Sequence, residues 1–178
     1  MSRFDMAEFD RRLGGVMRFG RIEELDPKAG RVKARINADI LTGWCPWLAP
    51  RAGKGAVWWA PEVGEQCLVL AQYGEPDQAV VLVGLFSDAF PPPSDNPEQL
   101  VTVFPDGARL AYDWQAKRLE AVLPDSGTVR LVAPGGVTIE GDVTVTGDVV
   151  AGGVSLRRHT HGGVDTGGGN TAEPNGGG

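Results

Sequence analysis

The chain contains two histidines, and both fall in one short phrase near its end, His159-Thr160-His161. Imidazole is a common ligand for divalent transition metals, and on a β-strand a His-x-His spacing turns both rings to the same side. Two rings are too few to hold an ion alone. Three copies meeting on one axis would supply six imidazoles in two layers of three. That set is octahedral, which suits Fe(II) or Ni(II) and differs from the four-ligand sites of zinc. With every position filled by protein, no place is left for water or substrate, so such an ion would be structural and not catalytic. The alternative, an exposed His-x-His in a flexible tail, is the ordinary reading for an isolated pair.

This pair is not isolated, because it follows a periodic segment. Gly141, Gly147 and Gly153 recur every six residues, as do Val137, Val143 and Val149, with Ile139, Val145 and Ala151 two places on. A six-residue return of glycine and β-branched residues is the mark of a β-helix, glycine permitting the corners and valine filling the inside. Alternation along each strand puts Val137, Ile139, Val143, Val145 and Val149 on an apolar face and Thr138, Glu140, Asp142, Thr144, Thr146 and Asp148 on a polar one. If the alternation continues through Gly152 and Gly153, His159 and His161 face inward with the valines, and Arg157 must bend outward. About three repeats are present, whereas a single-chain β-helix spends about three on each coil and needs several coils. One chain cannot bury this face. Three chains wound on a common axis can, so the repeat predicts an obligate homotrimer. A simple β-meander would not require so strict a return of glycine and valine.

The elements before the repeat follow from the same kind of reading. Met6, Phe9 and Leu13 make one stripe on a short N-terminal helix over residues 1–15, closed by Gly14 and Gly15. Short β-forming runs at 18–22, 31–36, 43–48, 55–60, 66–71 and 79–86 are separated by turn signals such as Asp26-Pro27-Lys28-Ala29-Gly30. Five or six short strands in this length predict a small antiparallel barrel over 16–86, of which the OB-fold is a five-stranded version. Pro91-Pro92-Pro93 and Pro97 mark a stiff linker over 87–99. Further strands are expected at 100–104, 108–114, 118–123 and 128–133. They are too few to enclose their own core and join the repeat in a spike over 100–163. The last segment, 164–178, is rich in glycine, and its composition favours disorder. The fold class expected is thus all-β: an OB-fold barrel followed by an intertwined trimeric triple-stranded β-helix.

Composition narrows the function. Glycine (26) and proline (13) together exceed a fifth of the 178 residues, which fits a chain of many turns. The net charge of −6 repels a phosphate backbone, so nucleic acid is not an expected partner. No apolar run is long enough to cross a bilayer, and the start is too charged for a signal peptide, so synthesis in the cytosol is expected. Cys45 and Cys67 match no metal spacing and read as buried, reduced thiols.

Taken together, these phrases resemble the central spike, or baseplate assembly protein V, of contractile-tailed bacteriophages and related injection machines. The resemblance rests on Gly30-Arg31-Val32-Lys33-Ala34-Arg35, Trp44-Cys45-Pro46-Trp47, Val63-Gly64-Glu65-Gln66-Cys67-Leu68-Val69, the Gly74-Glu75-Pro76 turn, the repeat, and the closing His159-Thr160-His161. It implies a trimer whose barrel sits in the baseplate against hub and tail-tube proteins. It implies further that His159 and His161 of each chain hold one iron ion at the tip. The implied function is to puncture the host outer membrane as the sheath contracts, with the protein carried in the virion after synthesis in the host cytoplasm. No enzymatic activity is implied.

Two rival readings remain open at this level. An OB-fold with Trp44, Trp47, Trp58, Trp59 and Tyr73 could stack single-stranded nucleic acid, with Arg51 and Lys54 the nearest cations. A hexapeptide acyltransferase would join Gly-Val repeats to a histidine base, but needs many more repeats. A lysozyme-like insertion is not expected, because no paired carboxylates stand in a segment long enough to form a cleft.

Overall fold

Apolar residues at every second position of 31–36 demand a strand with one face buried, the continuous apolar run 67–71 supplies another strand, and that is how the barrel is built. A computed structural model describes residues 3–160 and Gly167. The chain divides into two compact units, Met1–Thr128 and Val129–Gly178. The first opens with α1 (Arg3–Gly15) and continues into β1 (Met17–Asp26), β2 (Arg31–Arg35), the two-residue β3 (Cys45–Pro46), β4 (Gln66–Ala71) and β5 (Ala79–Leu85). These five strands form an antiparallel sheet in the order β3-β2-β1-β4-β5. Strand β1 is long enough to serve both sides. Its first half pairs with β4, its second half with β2, and a bulge between Ile22 and Glu24 bends it where the partners change. The sheet curls until its edges meet: Trp47 bridges Val81, and the Leu48 N–H donates to the Val81 carbonyl at 2.9 Å. Closure removes the free edges and makes a barrel.

The barrel interior is filled by Ile22, Val32, Ala34, Cys45, Cys67, Val69, Ala71, Ala79 and Val81. They come from alternating positions of all five strands, as the sequence pattern requires. Two expected strands did not form as read. The 43–48 run is reduced to Cys45–Pro46, since proline has no N–H for a ladder. The 55–60 run is not a strand. A bridge between Ala52 and Ala56 ties residues 51–57 into a local loop, with the Val57 N–H on the Arg51 carbonyl at 3.0 Å.

Helix α1 reaches the barrel through glycine and not through its apolar stripe. Gly74 lies in a tight turn at φ +76°, and a Cβ there would stand 2.7 Å from the Arg12 carbonyl oxygen. Only glycine allows both that φ and that approach. Met6, Phe9 and Leu13 remain more than half exposed, at 51%, 55% and 62%.

After the proline-rich stretch, β6 (Gln99–Val103), β7 (Arg109–Asp113) and β8 (Arg118–Val122) form a three-stranded antiparallel meander. Ala108 and Ala111 are its buried residues. The strand expected at 128–133 is absent, because no neighbouring strand pairs with it.

In the second unit, residues 129–149 form no ladder with one another; the first pairing is a hairpin of β9 (Val150–Ala151) and β10 (Val154–Ser155). Its two-residue turn, Gly152-Gly153, has φ of +58° and +88°. Positive φ at both positions is the requirement of the tight hairpin turns that match strand twist.

Candidate functional site

The repeat presents its β-branched side chains to solvent. Val137, Ile139, Val143 and Val145 are exposed at 60%, 66%, 62% and 50%. Near the end of the unit, Val143, Val145, Val149 and Leu156 line an open groove of about 730 Å³ together with Thr146, Gly147 and Arg157. A row of aliphatic side chains bordering such a groove is a surface for another apolar surface.

The hairpin that ends the repeat changes how His159 is placed. Because the chain reverses at Gly152-Gly153, strand alternation does not carry from the valines to the histidines. Hydrogen bonds set the position instead. The Leu156 N–H donates to the Val149 carbonyl at 2.9 Å, extending the hairpin ladder. Asp148 accepts from the Ser155 hydroxyl at 2.6 Å and from the Arg157 N–H at 3.2 Å. The Ser155 hydroxyl oxygen accepts the Arg158 N–H at 3.0 Å. The Ser155 carbonyl accepts the His159 N–H at 3.1 Å and its ring Nδ1–H at 2.9 Å. The Ser155 hydroxyl, followed by the backbone donors of Arg157 and Val149, holds the Asp148 carboxyl below the usual carboxylate range against a smaller opposing effect of desolvation. His161 lies outside the described residues, as does nearly all of the glycine-rich 164–178.

A metal site built from one chain would need at least a third ligand. Among the described residues, no group of three or more His, Cys, Asp or Glu side chains comes together. Sequence reading picked out His159 but missed Asp148 and Ser155. The signal was available: Gly-Gly between apolar pairs is a hairpin signature, and the hairpin register brings Asp148 opposite the residues just past Ser155.

Trp44, Trp47, Trp58 and Trp59 each meet another side chain. Trp47 and Trp58 pack with ring centroids 5.4 Å apart. Trp59 stacks on Phe104 at 5.8 Å and 10°. The Lys33 ammonium sits 4.7 Å from the centre of the Trp44 ring. Tyr73, by contrast, projects from the turn that receives α1. Each pairing covers one side of a ring, while Trp58 and Trp59 remain 64% and 57% exposed. Both cysteines are buried free thiols, and burial, aided by Glu65, pushes Cys67 up to about 11, which keeps it protonated and unreactive.

Comparison with known proteins bears on both units. Residues 18–86 match the family described as the type VI secretion system/phage-baseplate injector OB domain. Residues 153–175 match the GpV apex motif, which spans the hairpin turn's second glycine, Ser155 and both histidines. The chain is 40% identical over 134 residues to the spike protein of Escherichia phage P2. That alignment covers 75% of this chain and 62% of the relative, so the chain spans less than two thirds of the relative's length.

Proposed function

Because the chain belongs to the baseplate spike family, we propose that it forms the membrane-piercing spike of a contractile tail, three copies braiding their repeats into one needle. The observation that carries this reading is the exposed valine ladder in a chain whose barrel closes fully. Val69 and Val81 are 0% exposed in the barrel, while Val137 and Val143 are 60% and 62% exposed in the repeat. Each Val or Ile side chain taken fully out of water contributes about 1.5–3 kcal/mol, and one chain offers no second layer to do it. Two further copies offer that layer at every level of the repeat.

A needle of interlocked chains suits axial load. No strand can peel away without breaking backbone pairs with both neighbours, and few lateral edges remain free. The closed barrel, with its OB-domain match, is the part suited to sit in the baseplate against hub and tail-tube proteins. The polar face of Thr and acidic residues keeps the needle soluble until the sheath contracts and drives it into the host outer membrane. The role is mechanical, in a protein carried at the tail tip of the virion.

The end of such a needle has no further layer to hold it, and there His159 and His161 of the three chains would bind an iron ion. The donor chemistry at His159 fits. Its Nδ1–H is donated to a carbonyl, which leaves Nε2 as the nitrogen through which this ring would ligate a metal. The ion would tie the three ends together. Replacing His159 and His161 by alanine tests this reading. Iron is expected to fall to background in the purified protein, and amide exchange to quicken beyond Val149, with the trimer intact by sedimentation. Normal iron content in that double variant would refute the ligand assignment.

A further inference from the structure

Asp148 stands on the strand before the hairpin and binds the chain after it. Both of its oxygens are used, one on the Ser155 hydroxyl and one on the Arg157 N–H, so it is placed to hold the turn and not to ligate. Ser155 then accepts three bonds: its hydroxyl oxygen takes the Arg158 N–H, and its carbonyl takes both the N–H and the Nδ1–H of His159. A carbonyl oxygen can only accept. Nδ1 of the His159 ring therefore carries a proton.

We propose, resting on the reading of a shared metal ion at the tip, that Asp148 and Ser155 are positioning residues: they clamp the turn that follows the hairpin and hold His159 as its Nδ1–H tautomer, so that Nε2 is the donor atom. A clamp is needed at this place. The hairpin has two residue pairs in its named strands, and an isolated two-stranded ribbon is marginal in water. Without a tie across it, the segment after Ser155 would sample many directions, and the ring would exchange tautomers. The Asp148 bonds bridge from the repeat itself, past the glycine turn, to the residues that aim the ring. Partners of this kind, one bond removed from the ligating atom, typically change metal affinity by about 10–100-fold.

The test uses the full chain as the purified trimer, with its histidines labelled in the ring nitrogens, and compares the wild type with Ser155→Ala, Asp148→Ala and Ser155→Thr. Nitrogen chemical shifts after chelation report the tautomer, with the His159 signals assigned against His161→Ala. Titration with Fe(II) reports affinity. The expected result is an Nδ1–H His159 in the wild type, mixed tautomers with Fe(II) affinity weaker by about 10-fold or more in both alanine variants, and recovery in Ser155→Thr, which keeps the hydroxyl. An Nε2–H tautomer in the wild type, or unchanged tautomer and Fe(II) affinity in both alanine variants, would overturn the clamp. A wild-type trimer that takes up no Fe(II) would instead bring down the metal reading and the donor role with it.

Discussion

The same side chain has opposite fates in the two units of this molecule. Valine on the inward face of the barrel is sealed: Val32, Val69 and Val81 are 0% exposed. Valine in the repeat is open, with Val137 and Val143 60% and 62% exposed although it alternates with polar residues in the same way. The difference is closure. Five strands that curl until Leu48 meets Val81 make an inside for one chain, whereas about three hexapeptides make one wall and no room. Local pattern therefore says which face is apolar, and element count says whether one chain can bury it.

The largest expected effect lies on the open side. Val143→Asp combined with Val145→Asp puts a charge from every chain at two levels of the proposed axis. Sedimentation should show the trimer lost to monomer, while circular dichroism of the barrel persists. A stable trimer in that variant would mean that the valine ladder is not the assembly surface. On the closed side, Ile22→Ala removes a side chain that is 0% exposed and should cost about 2–5 kcal/mol in barrel unfolding, read by denaturant titration. Oligomeric mass at neutral pH should not change. If the two variants exchanged effects, the comparison would be reversed.

The smallest effect concerns α1. Hydrogen bonds from Arg11 and then Arg12 draw Glu8 down to about 2 from its ordinary 4.5, at a solvent-accessible position on α1. A depressed carboxyl favours the folded helix above the unfolded value and loses that contribution as pH falls from 4.5 toward 2. Solvent screening keeps the contribution small. Helical signal should therefore decline slightly over that range in the wild type, and Glu8→Gln should flatten the decline. An identical profile in both would show that the pairs do not act on the helix.

How much was legible in the sequence tracks this same division. Part of the barrel core was readable because alternation in 31–36 puts Val32 and Ala34 on one face, whereas 67–71 is apolar throughout and only pairing in the sheet decides that Cys67, Val69 and Ala71 face inward. The runs at 55–60 and 128–133 misled, since β-forming composition does not supply a neighbouring strand. The six-residue return of glycine and valine was plain, but Gly153 had two meanings. It fitted as a corner of the repeat, and with Gly152 it makes a hairpin turn that reverses the chain. Strand alternation reaches His159 only if it passes unbroken through that turn, and because the chain reverses there, hydrogen bonds from His159 to the Ser155 carbonyl govern instead. The exposed stripe of Met6, Phe9 and Leu13 was also readable, though not the contact that seats α1, because a backbone approach at Gly74 leaves no apolar pattern.

On the proposed reading, one chain does not complete the fold of the repeat alone. Sedimentation equilibrium of the intact protein, across a wide range of concentrations, tests it directly. A single species at three times the 18.9 kDa chain mass is expected. A single species at the chain mass, with slow amide exchange through 137–149, would contradict it.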